Sequence, residues 1–150
     1  PGVRVARGTA GTCRGLAGRD THHPGFDSSL AWVWARCEDR SEADVLSALQ
    51  EGRFYSSTGP QIHDVTVTET AVEVRCSPAR SITLLAGRMK GSSVNAGRLG
   101  YTCRSEILEA DDGGLVRAAR LERPAFAPYG RLELSDADGR RAWTNPLWIS

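Results

Sequence analysis

Residues 65–76 read Val-Thr-Val-Thr-Glu-Thr-Ala-Val-Glu-Val-Arg-Cys, and most of their apolar side chains recur at every second position. Val65 and Val67 alternate with Thr66 and Thr68, and Val72, Val74 and Cys76 alternate with Glu73 and Arg75. Successive side chains of an extended chain point to opposite faces, so a period of two describes a strand with one buried and one solvated face. The same period returns at Ile82 and Leu84, in Leu115–Leu121, at Leu132 and Leu134, and from Ala142 to Ile149. Turn-forming residues punctuate these runs: Ser77-Pro78, Gly87, Gly91-Ser92-Ser93, Asp111-Asp112-Gly113-Gly114 and Asp138-Gly139. Short alternating strands with no helices between them predict an antiparallel β-sandwich over residues 61–150, bounded near Pro60.

Upstream of that boundary the pattern changes. Ala31-Trp32-Val33-Trp34-Ala35 is apolar on both faces. Such a strand is expected to be covered on both sides, as in parallel sheets backed by helices. A helix follows: Ser41 is a good N-cap, and Asp44 stands three residues on, where a capping box places its acidic partner. Val45, Leu46 and Leu49 form one apolar stripe, and Gly52 stands where a C′ glycine ends a helix. Residues 19–60 thus hold a polar loop and a strand–helix unit, while residues 1–18, rich in Gly and Arg without periodicity, are expected to be a loose arm. The expected fold class is mainly β with a short α/β segment.

Composition narrows the partners. The 150 residues are 40% hydrophobic and 25% charged, as in soluble globular proteins. Nineteen basic residues face 18 acidic ones, a net charge of +1, which leaves no electrostatic footprint for nucleic acid. No apolar run approaches the ~18 residues of a membrane span. Arg4, Arg7, Arg14 and Arg19 precede no apolar stretch long enough for a secretory signal, so a cytoplasmic protein is expected. Cys13, Cys37, Cys76 and Cys103 form no CxxC pair and have no structural-zinc spacing, which predicts reduced, mostly buried thiols.

The residues with chemical potential cluster in Asp20-Thr21-His22-His23. A carboxylate and an imidazole two apart on one loop can both reach a divalent cation, the one a hard oxygen ligand and the other a borderline nitrogen. A solvated polar loop has the same composition. His63 precedes an alternating strand and reads as a surface or edge residue. Ser56 and Ser57 have no His–Asp pair to activate them. Gly52-Arg53-Phe54-Tyr55-Ser56-Ser57-Thr58-Gly59-Pro60 offers hydroxyls, glycines and one arginine to an anion, but lacks the P-loop order and reads better as a strand and turn. Trp143-Thr144-Asn145-Pro146 reads as a core tryptophan running into a turn.

Taken in order, Asp20-x-His22, the Trp32/Trp34 strand, the Val45-Leu46-x-x-Leu49 helix, GRFYSSTGP (52–60) and GRRAWTNPLW (139–148) resemble the C-terminal part of PHP-type metal-dependent phosphoesterases. The resemblance covers about residues 16–150. It implies that residues 19–60 are the end of a (β/α)7 barrel, followed by a β-rich domain. It also implies that Asp20 and His22 match the family's last metal motif, with Mn, Zn or Fe as the cation and His23 as a neighbour. The chain departs from the family in lacking the opening His-x-His pair and the ligands of earlier strands; it holds three histidines in all. Hydrolysis at a metal pair needs bridging ligands that hold the ions ~3.5–4 Å apart, which one loop does not provide. The expected protein is therefore a C-terminal fragment, a truncated relative, or a chain whose first segment lies outside the family's frame, and it is expected to be inactive alone. The alternative is a non-catalytic β-sandwich for ligand binding or oligomerisation. Its partner would be a second copy or the missing barrel segment.

Overall fold

The computed structural model describes residues 30–87, 90–97, 105–125 and 127–148. Through them run β1 (Trp32–Ala35), α1 (Glu42–Glu51), β2 (Phe54–Ser57), β3 (Ile62–Val67), β4 (Ala71–Ala79), β5 (Ser81–Ala86), β6 (Lys90–Asn95), β7 (Glu106–Ala110), β8 (Val116–Glu122), β9 (Tyr129–Ser135), β10 (Arg141–Thr144) and β11 (Leu147–Trp148). Every strand pairing among them is antiparallel. One sheet has the order β1-β2-β10-β9-β5-β6, with β11 also on β9; the other has the order β3-β4-β8-β7.

The period of two has its expected cause. Ile82 lies opposite Leu134 and Leu84 opposite Leu132 in the first sheet, and Val72 opposite Leu121 in the second. These side chains are buried and belong to a single apolar cluster with Val74, Val94 and Val116, so the two sheets share one core. Each such side chain contributes roughly 1.5–3 kcal/mol when taken out of water. The turns also follow the sequence: Gly114 N–H reaches Asp111 C=O at 2.9 Å, and the Asp136 carboxylate accepts from Asp138 N–H and Arg140 N–H at the β9–β10 turn.

Two segments expected to be turns are strand. Gly91-Ser92-Ser93 lies within β6, where Ser92 faces inward and its hydroxyl donates to Glu122 C=O at 2.8 Å. Ser77-Pro78 lies within β4; the proline cannot donate to a ladder, and pairing with β8 slips between Arg75 and Ala79 to absorb it.

The upstream segment differs from expectation in its packing. Its helix is capped as the sequence predicts, with Ser41 Oγ accepting from Asp44 N–H and Gly52 left-handed at φ 75°. Yet the apolar stripe is not its buried face: Val45 is 38% and Leu46 50% exposed, and Ala48 is the residue fully covered. The strand over residues 31–35 is not sandwiched in a parallel sheet. As β1 it is an antiparallel edge strand, paired to β2 and half-buried to exposed along its length. Trp143, expected in the core, is half-buried; its neighbour Ala142 is the residue that points inward.

Candidate functional site

The chain crosses from β2 in the first sheet to β3 in the second through Thr58–Gln61. Between them opens a groove of about 520 Å³, walled by the ends of β1 and β2, by β3, and by the β10–β11 bend. Its position follows from register. Trp34 lies opposite Tyr55, and Tyr55 opposite Thr144, so three adjacent strands present these side chains on one face. The Trp34 and Tyr55 rings stack with centroids 6.5 Å apart and planes 20° from parallel. Tyr55 is partly buried, which pushes its phenol above the usual range and keeps it protonated. Its oxygen accepts the Ile62 N–H at 3.0 Å, tying β2 to the start of β3. Trp34 is 42% exposed, large for so apolar a side chain.

The polar wall is built from both phrases singled out in the sequence. Residues 52–60 and 139–148 are strand partners: Ser57 pairs with Ala142, Ser56 with Trp143 and Tyr55 with Thr144. Thr58 and Arg141 exchange hydrogen bonds, with Thr58 N–H donating to Arg141 C=O and Arg141 N–H to Thr58 Oγ1, both at 2.8 Å. Asn145 interrupts the strand, is buried, and donates from Nδ2 to Gly52 C=O and Phe54 C=O at 3.2 and 3.0 Å. It thereby fastens the end of α1 and the start of β2 to the β10–β11 bend. Gly59 is confined by the turn before β10, since a Cβ there would meet the Arg140 side chain at 2.9 Å.

The remaining chemistry of the GRFYSSTGP phrase is spent on structure. Arg53 donates to Arg36 C=O at 2.6 Å and to Ser47 Oγ at 3.0 Å, and pairs with Asp44 at 3.3 Å and Glu51 at 3.2 Å. Asp44 also accepts from Asp39 N–H, the largest cause of a carboxyl held below its usual range. The arginine is therefore a brace between α1 and β1, occupied by protein groups. Ser57 is buried, donates to Pro60 C=O at 2.7 Å and accepts from Gly59 N–H at 2.9 Å, which makes it a turn residue. Ser56 is buried beside it.

His63 is exposed on β3, beside the register shift between Ile62 and Asp64, and lines the groove with Asp64. Asp20, His22 and His23 lie outside the described residues. Among the described residues no group of three His, Cys, Asp or Glu side chains is placed to hold a cation. Cys37 and Cys76 are free thiols; burial pushes Cys76 up to about 12, so it is inert as a nucleophile near neutrality. No helix among the described residues is long and apolar enough to cross a membrane.

The groove itself was not legible in the sequence. Trp34 and Tyr55 are far apart in the chain, and only the β1–β2 register brings them together. Asn145 stands before a proline and reads as an ordinary turn residue; nothing local announces its reach to Gly52. No family model, curated protein or solved structure matches the chain.

Proposed function

We propose that this chain is the C-terminal portion of a PHP-type metal-dependent phosphoesterase, inactive alone. In it Asp20 and His22 supply part of a divalent-cation site, for Mn, Zn or Fe, and β1 and β2 join the segment after them to the first antiparallel sheet. The observation that supports this reading is the pairing of residues 52–60 with residues 139–148. The two phrases that carry the resemblance are remote in sequence, yet they form one structural joint between the strand–helix unit and the β10–β11 bend. The exposed Leu30, Trp34, Val45 and Leu46 on and beside β1 and α1 support it as well, because large apolar side chains left open in one region suit further protein surface.

The test is elemental analysis of the purified chain, beside an Asp20→Ala/His22→Ala double variant, with p-nitrophenyl phosphate as substrate. The expected result is weak cation retention that the double variant loses, with no turnover. Tight stoichiometric metal with turnover would contradict the inactivity, and retention unaffected by the substitutions would remove the loop from the site. The same exposed side chains favour a second reading, a non-catalytic module that associates through this face. Light scattering showing a stable dimer, together with no cation bound, would select it.

A further inference from the structure

β1 ends the first sheet, and the phase of its backbone decides what that end can do. Arg36 N–H donates to Arg53 C=O at 2.8 Å, and in the same register Trp34 lies opposite Tyr55 and Trp32 opposite Ser57. Antiparallel pairs alternate between those that exchange hydrogen bonds and those that do not. The even-numbered residues therefore bond β2, and Val33 and Ala35 turn their N–H and C=O groups away from it. Among the described residues no strand pairs on that side.

An open edge is a template for another strand, and proteins blunt it with charge, proline or a bulge. The other three edges of the described sheets are poor templates. β3 carries Asp64 beside its register shift, and β7 carries Glu106 and Glu109 with two shifts. β6 includes Gly91-Ser92-Ser93, which offers little apolar area. β1 has neither a charge nor a proline, and its register with β2 is unbroken. Its sequence is also a palindrome: Ala31-Trp32-Val33-Trp34-Ala35 reads the same in both directions. An antiparallel partner runs the opposite way, so a palindromic strand meets its own pattern in a second copy.

We propose that two copies of this chain pair through β1 about a two-fold axis at Val33, joining their first sheets into one. The pairing deepens the second reading above, association through this face, and rests on it. Val33 exchanges two hydrogen bonds with Val33 of the second copy, and Trp34 lies opposite Trp32 of the second copy. Trp32 and Trp34 share one face of β1. The Trp34 ring stacks on Tyr55 from the β2 side, so its other side looks across the open edge toward the second Trp32. Cross-strand aromatic pairs stabilise sheets, and this one covers a tryptophan that is 42% exposed. A net charge of +1 sets little repulsion against the second copy.

Sedimentation equilibrium of the full chain, from about 10 μM to about 1 mM, tests this, and a dimer is expected within that range. Val33→Pro removes an N–H that β2 does not use, so the β1–β2 ladder is kept. It is expected to raise the dissociation constant about 30-fold through the two hydrogen bonds lost. Val33→Lys sets like charges directly opposite and is expected to weaken the dimer as well, with recovery at high salt. Leu46→Gln, on α1, is expected to leave it unchanged. Hydrogen exchange reads the backbone phase: the Val33 and Ala35 amides gain protection as concentration rises, whereas the Trp34 amide is protected throughout. A chain that stays monomeric to about 1 mM overturns the β1 pairing and the second reading together. A dimer indifferent to both Val33 variants overturns the β1 pairing alone, and association through α1 then shows as a dimer weakened by Leu46→Gln.

Discussion

The two-sheet core and the β1–α1 annex are held by different forces. In the core, Ile82, Leu84, Leu132 and Leu134 are buried against Val72, Val74 and Leu121 from the facing sheet, and apolar area alone accounts for the packing. In the annex, Val45, Leu46, Trp34 and Leu30 are exposed, and the segment is fastened by polar contacts: Arg53 to Asp44, Ser47 and the Arg36 carbonyl, and Asn145 to Gly52 and Phe54. Apolar burial is spread over many residues, so the loss of one lowers the stability of the whole core and not of one place in it. A polar joint is concentrated in a few atoms, so it is local, directional and easily undone.

The largest effect is expected in the core. Leu132→Ala leaves a cavity between the sheets and should lower unfolding free energy by about 2–5 kcal/mol in a urea titration. A loss below about 1 kcal/mol would mean that the sheets do not share a close-packed interior. Asn145→Ala comes next, at about 1–3 kcal/mol, since it takes the donor from the Gly52 and Phe54 carbonyls. Here the location matters more than the size: hydrogen exchange should accelerate in α1 and β2 while β5 and β9 stay protected. Uniform acceleration would erase the distinction between annex and core. The smallest effect belongs to Leu46→Gln, expected to fall within about 0.5 kcal/mol because the side chain already faces solvent. A loss above about 1 kcal/mol would show that something covers this face in solution.

Sequence reading succeeded where the physics is local. Ser41 and Gly52 mark the ends of α1 because capping involves only near neighbours, and the alternation from Val65 to Cys76 marks β3 and β4 because burial of one face repeats every second residue. It failed where partners are remote. Gly91-Ser92-Ser93 has turn composition, yet it is strand because β5 pairs with it and Glu122 accepts from Ser92. Val45 and Leu46 have core composition but meet little, because the helix turns Ala48 inward. The groove depends on a strand register that no local pattern encodes.

The Asn145 joint also sets an order of events. Its hydrogen bonds to Gly52 and Phe54 span 93 and 91 residues of chain, and those between Thr58 and Arg141 span 83. Closing so long a loop costs chain entropy that is recovered only when the contact forms, and long-range antiparallel pairing is slow for that reason. On the ribosome β2 emerges many seconds before its partner β10 at roughly 5–20 residues per second. During that interval α1 can form on its own caps, but β2 has no β10 to pair with and Trp34 has no finished groove. The annex is thus the first part of the described chain to be made and among the last to be fixed in place.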